Sequence, residues 1–177
     1  MKRGIEKQLH RDAQKLRNRL KDLLQTWQTS GVPPRWQLMN TLQDLHAWKD
    51  AEHISGLWKP PPMMLTATLD DGWGHGLEVI EQCAAVAGLH VERLGLLKTA
   101  DDILSACFKL RPRLLGLTML QFDSEPSLSQ ITAGVPELTQ VLVGGPVFQI
   151  DPDLASRTAV HHVAKNVADF LGIVLDL

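Results

Sequence analysis

Apolar positions recur at three- and four-residue steps through the first fifty residues, then give way after residue 62 to short continuous apolar runs. Ile5, Leu9, Leu16, Leu20, Leu23, Leu24 and Trp27 form one stripe, which predicts a long amphipathic helix over residues 1–30. Gly31-Val32-Pro33-Pro34 ends it, with glycine at the stop and proline beyond. Leu38, Leu42 and Leu45 predict a second helix over residues 34–50, with a short further turn to Ile54. Two helices cannot bury both their stripes against each other alone. They are expected to pack on the residues that follow, on a second copy of the chain as a homodimer, or on a partner.

Leu57-Trp58-Lys59-Pro60-Pro61-Pro62 reads as a stiff, extended linker. It divides the chain into a helical segment (1–56), the linker (57–62) and an α/β domain (63–177). In that last part, strand and helix signals alternate. Strands are expected at Met63–Leu69, His90–Gly95, Leu114–Leu120, Gln140–Val143 and Val160–Val163. Helices are expected near Gly76–Ala87, Ala100–Leu110, Ser127–Ala133, Pro152–Ser156 and Val167–Leu175. The runs Leu114–Leu120 and Val141-Leu142-Val143 are apolar throughout, as when helices cover both sheet faces. The fold class this predicts is α/β: a Rossmann-like (flavodoxin-like), doubly wound, parallel five-stranded sheet preceded by a small helical segment.

Composition narrows the function classes. A hydrophobic content of 44% supports a real core, and a net charge of −2 gives no global field to recruit nucleic acid or an acidic membrane. The first 22 residues carry eight Lys or Arg against Glu6, Asp12 and Asp22. Such a basic helix can meet nucleic acid or an acidic partner, and more often it is simply a solvated face. Cys83 and Cys107 lie in helical patterns without metal spacing, as reduced core residues do. No apolar run approaches the roughly 20 residues of a membrane span. The charged start has no apolar core of a signal peptide, so the expected location is cytoplasmic.

Ligands of open parallel sheets sit beyond the strand carboxyl ends. The polar and glycine residues cluster just there: Asp71-Gly72-Trp73-Gly74-His75-Gly76, Thr118 to Asp123, Gly144-Gly145-Pro146 and Lys165-Asn166. Asp70 and Asp71 could cap the following helix, and Met119, Gln121 and Phe122 would line the same edge. His161-His162 reads as a structural pair on the last strand. No nucleophile elbow, paired Cys ligands, P-loop or radical-SAM cysteine trio is present, and the glycine spacing does not match a dinucleotide fingerprint. No catalytic site of the chain's own is expected.

In this arrangement the chain resembles the cobalamin-binding domain of corrinoid proteins. That family carries D-x-H-x-x-G after the first strand, S-x-L at the end of the third and G-G after the fourth. Here Asp71 to Gly76 reads D-x-W-x-x-G, Thr118-Met119-Leu120 reads T-x-L, and Gly144-Gly145 supplies the glycine pair. The resemblance covers residues 63–177. It implies a corrin ring over the carboxyl edge of the sheet and a dimethylbenzimidazole tail in a channel between strands. Gly144 and Gly145 would leave room for the tail, Thr118 would lie beside it, and the aspartate would support the cobalt-ligating histidine.

That histidine is Trp73 here, and indole has no lone pair to give a metal. Four alternatives follow. His75 is the lower cobalt ligand; or cobalamin binds without a protein ligand, with Trp73 under the ring. Gly144-Gly145-Pro146 resembles the G-G-P variant of radical-SAM cobalamin domains that lack the histidine. A haem takes the place of cobalamin, with His75 as axial ligand; or Trp73 fills a vestigial pocket. The cofactor-binding set is Asp71, Trp73, His75, Gly76, Thr118, Leu120, Gly144 and Gly145. The expected function is a cobalamin carrier or sensor serving a separate partner protein: a methyltransferase, a radical enzyme or a regulator. The alternatives are a cofactor-free regulatory adaptor and a haem sensor.

Overall fold

The computed structural model describes residues 2–177, with side chains from Gln8 onward; Met1 and the side chain of Ile5 lie outside the described residues. Two helices come first, α1 (Lys2–Ser30) and α2 (Arg35–Ala51). Then follow β1 (Met63–Thr68), α3 (His75–Ala87), β2 (His90–Gly95), α4 (Ala100–Leu110), β3 (Leu114–Thr118), α5 (Glu125–Gly134) and β4 (Gln140–Gly144). The short α6 (Val147–Ile150) and α7 (Leu154–Arg157), β5 (His162–Val163) and α8 (Val167–Asp176) complete the chain. The five strands form one parallel sheet in the order β2-β1-β3-β4-β5. This is the flavodoxin-like order, and the direction of winding reverses between β1 and β3, where a crevice must open.

Strand alternation sorts the core into two layers. Met64, Leu114 and Leu142 face α1, α2, α3 and α8, whereas Leu65, Leu115 and Val141 face α4 and α5. The stripe of α1 is buried against the first layer: Leu16, Leu20 and Trp27 join Phe170, Leu171 and Val174 of α8. At about 1.5–3 kcal/mol for each buried leucine, this stripe is enough to hold the helix on the sheet layer.

Charged side chains fix the seat of the helical hairpin. Arg17 Nη1 donates to the carbonyl of Leu175 at 2.6 Å, and Lys49 Nζ donates to those of Ala85 and Val86 at 2.9 and 3.3 Å. These are carbonyls of the last turns of α8 and α3, where a cation also meets the negative end of the helix dipole. Lys15 pairs with Glu52 at 2.6 Å, and Arg19 lies 4.2 Å from the ring centre of Trp48. Part of the basic face of α1 is therefore used inside the molecule.

Several expected boundaries move for local reasons. The third strand stops at Thr118 rather than Leu120, because the amides of Leu120 and Gln121 turn away to Asp70. The last strand keeps only His162 and Val163; before it, His161 Nδ1 accepts the amide of Val141 at 3.0 Å and takes the part of a backbone carbonyl. The helix expected at Pro152–Ser156 is the single turn α7, and a further single turn, α6, precedes it where none was expected. Burial pushes the Cys83 thiol up to about 12 and that of Cys107 up to about 11, so both stay protonated and inert.

Candidate functional site

Three strands end level at the carboxyl edge: Thr68 pairs with Thr118, and Thr118 pairs with Gly144. Beyond β1 the chain makes a tight loop. Thr68 Oγ1 donates to the carbonyl of Asp71 at 2.6 Å and accepts the amide of Leu97 at 2.9 Å. Asp71 is buried, and its Oδ1 accepts the amides of Trp73 and Gly74 at 2.8 and 3.0 Å. Neither aspartate caps α3 as expected. Asp71 closes the loop ahead of the helix, and Asp70 reaches across to the β3–α5 connection. The N-cap is Gly74, with no side-chain hydrogen bond.

This loop decides where the two rings point. Trp73 is 81% exposed and takes no part in the cleft described below. It neither packs in the core nor fills a pocket. His75, the first residue of α3, lines the cleft, and its ring centre lies 6.0 Å from that of Trp73. Asp71 Oδ1 is engaged by backbone amides, and no hydrogen bond joins its carboxylate to the His75 ring among the described residues.

A cleft of about 420 Å³ opens at the reversal point between β1 and β3. Asp71, His75 and Gly76 line it after β1, Thr118 and Leu120 after β3, and Gly144 and Gly145 after β4. Seven of the eight residues singled out in the sequence therefore converge; Trp73 stays outside. The walls are apolar, made chiefly by Leu38, Val79, Ile80, Ala164 and Val167. The volume is that of an ordinary small-molecule site, for which clefts run from about 300 to 1,000 Å³.

The glycines do different work. A β-carbon on Gly76 would meet nothing within 4 Å, so that position is open. On Gly144 it would lie 3.2 Å from the carbonyl oxygen of Ala164. On Gly145 it would lie 1.8 Å from that of Met119, and φ there is +135°, a region side chains rarely enter. Gly145 is thus required by the backbone of the neighbouring strand end, with or without a ligand.

The helical hairpin also reaches the site. Val32, Arg35 and Leu38 close one wall, and Arg35 pairs with Glu78 of α3. Sequence reasoning did not place these three at the site: Arg35 and Leu38 share one face at the start of α2, and Val32 precedes the helix in the connection from α1. Lys165, the residue before the N-cap of α8, lines the opposite side with Asn166. Beyond the carboxyl ends of the strands, Trp73, Leu97, Phe122 and Ile150 are large, exposed apolar side chains that follow β1, β2, β3 and β4 in turn, outside the lining of the cleft.

No protein-family model matches the chain, and no curated protein matches its sequence. Solved structures do match it in fold. A cobalamin-binding protein from Desulfitobacterium hafniense superposes with a TM-score of 0.74 at 17% identity, over 96% of this chain and 85% of that one. The monomethylamine corrinoid protein of Methanosarcina barkeri gives 0.60 at 12% identity, over 89% and 77%. The methanol:cobalamin methyltransferase complex of the same organism gives 0.61 at 17% identity, over 89% of this chain and 62% of that one. At these identities the likeness is one of fold.

Proposed function

We propose that this protein binds cobalamin at the carboxyl edge of its sheet and carries or senses it on behalf of a separate partner protein. The observation that carries the reading is the convergence of residues 71–76, 118–120 and 144–145 on one apolar cleft at the reversal point of the sheet. The fold shared with proteins whose names state cobalamin or corrinoid binding supports it, and the methyltransferase complex among them supports a partner.

The chain's own residues divide the task. The apolar walls exclude water and take a flat heterocycle such as the benzimidazole tail. At about 420 Å³ the cleft holds only part of a cobalamin, which leaves the macrocycle to the rim and its exposed apolar side chains. Thr118 presents a hydroxyl beside the tail, and Gly76 leaves space at the start of α3. His75 lines the same cleft and would hold the cobalt through a ring nitrogen; Trp73, outside it, would not. When bound, cobalamin supplies organometallic chemistry at its cobalt, and the protein supplies binding and orientation.

The experiment is direct. Purified protein is mixed with hydroxocobalamin, desalted and scanned in the visible. Corrin absorption that stays with the protein at about one equivalent supports the proposal, and a colourless protein overturns it.

A further inference from the structure

Arg35 and Lys165 face the same apolar cleft from opposite elements. Each stands where a cation does its own helix no good. Arg35 is the first residue of α2, a helix with no acidic residue in its first turn, and Lys165 directly precedes the N-cap of α8. Positive charge at a helix N-terminus opposes the dipole, and acidic side chains are the stabilising choice there. Acidic residues do stand in the first turns of α3 (Glu78), α4 (Asp101 and Asp102) and α8 (Asp169). Asp169 in the first turn of α8 accepts the Lys165 amide and leaves its ammonium group free among the described residues, so two cations set ahead of helix starts converge on one cleft, where an anionic ligand would compensate them.

Their remaining contacts leave donors free. The Arg35 guanidinium carries five N–H groups, of which Glu78 can take two, and its side chain is half exposed. Lys165 has no carboxylate within ion-pair distance among the described residues. Asp71, the acidic residue of the cleft, already accepts two backbone amides. The site therefore offers two cations beside apolar walls: a receptor for a flat heterocycle that carries an anionic group.

We infer that Arg35 and Lys165 anchor a phosphodiester of the ligand, which in cobalamin is the group that joins the corrin to its nucleotide base. The inference deepens the proposed function and rests on it. One phosphodiester presents one charge and two non-bridging oxygens, enough for a planar arginine fork and a lysine point charge. The two cations thereby select a complete cobalamin over a corrinoid that lacks the nucleotide.

The test is a spectroscopic titration of the full chain with cobalamin and with cobinamide, the same macrocycle without phosphodiester and base. The wild type is expected to bind cobalamin more tightly. Arg35→Gln and Lys165→Gln should each weaken cobalamin about tenfold, in line with one charge-assisted hydrogen bond lost, and leave cobinamide within about twofold. The salt dependence of cobalamin binding should fall in both. Glu78→Gln, which removes only the internal partner of Arg35, should leave cobalamin affinity undiminished. Unchanged cobalamin affinity in both glutamine variants, or an equal loss for cobinamide, overturns the inference and leaves the proposed function standing. Equal loss in Glu78→Gln would mean that the Arg35–Glu78 pair matters only as a brace, and also overturns it. A wild type that retains neither corrinoid brings down both.

Discussion

Asp70 and Leu120, fifty residues apart, are joined by a hydrogen bond of 2.7 Å from the Leu120 amide to the Asp70 carboxylate. The same carboxylate accepts the Gln121 amide at 2.9 Å and the Ser124 hydroxyl at 2.7 Å. One side chain after β1 thus fixes the loop that begins the next wall of the cleft. Asp70→Ala should destabilise the fold by about 1–3 kcal/mol, the range for leaving such donors without their acceptor. Hydrogen exchange should quicken at Leu120 and Gln121 while the amides of β3 keep their protection. Unaltered exchange at those two residues would mean that the loop holds its shape without the carboxylate.

The glycines of the site should separate into two kinds. Gly145→Ala forces a β-carbon against the Met119 carbonyl at a positive φ, and should cost at least about 2 kcal/mol in a urea melt. Gly76→Ala enters open space in the first turn of α3 and should stabilise by up to about 1 kcal/mol. Gly76→Leu should then fold normally and lose cobalamin retention, which makes it the cleaner probe of the cleft. Full retention by that variant would move the ligand elsewhere.

Two histidines set an acid limit. Burial, helped by Lys49, lowers the His46 pKa from 6.5, and burial, helped by His161, lowers that of His162. The unfolded chain therefore takes up protons first as pH falls through about 6.5, and the stability these neutral rings contribute is lost as pH drops through their folded values. The urea midpoint should decline between about pH 7 and pH 5. The double variant His46→Gln, His162→Gln should flatten that stretch of the profile; an identical slope would assign the acid response to other groups.

Ring placement around the first loop gives a spectroscopic contrast. His75→Ala should alter the absorption of bound hydroxocobalamin, because it removes the imidazole that lines the cleft. Trp73→His should change it less, because residue 73 is not among the residues that line the cleft. The opposite pattern would put the metal on the other side of the loop.

The parts of this molecule legible in the sequence are those encoded by neighbours along the chain. Alternating apolar runs located all five strands, and glycine and acidic residues after them located the edge where a cleft forms. What could not be read depends on partners distant in sequence. The end of β3 is set by Asp70, and the start of β5 by the ring of His161 against Val141. The outward turn of Trp73 follows from Asp71 accepting two successive amides, a detail of loop geometry that no spacing rule contains. Arg35 reaches the site because the hairpin docks on α3 and α8, and that docking is visible only once the sheet is assembled.

Arg17 and Lys49 hold the hairpin through carbonyl oxygens of Leu175, Ala85 and Val86. A main-chain oxygen is present whatever residue occupies the position, so substitutions in the final turns of α3 and α8 leave these grips in place. The buried stripe of α1 holds the hairpin down and the two cations fix its seat, so the wall that Val32, Arg35 and Leu38 give to the cleft keeps its place through such changes.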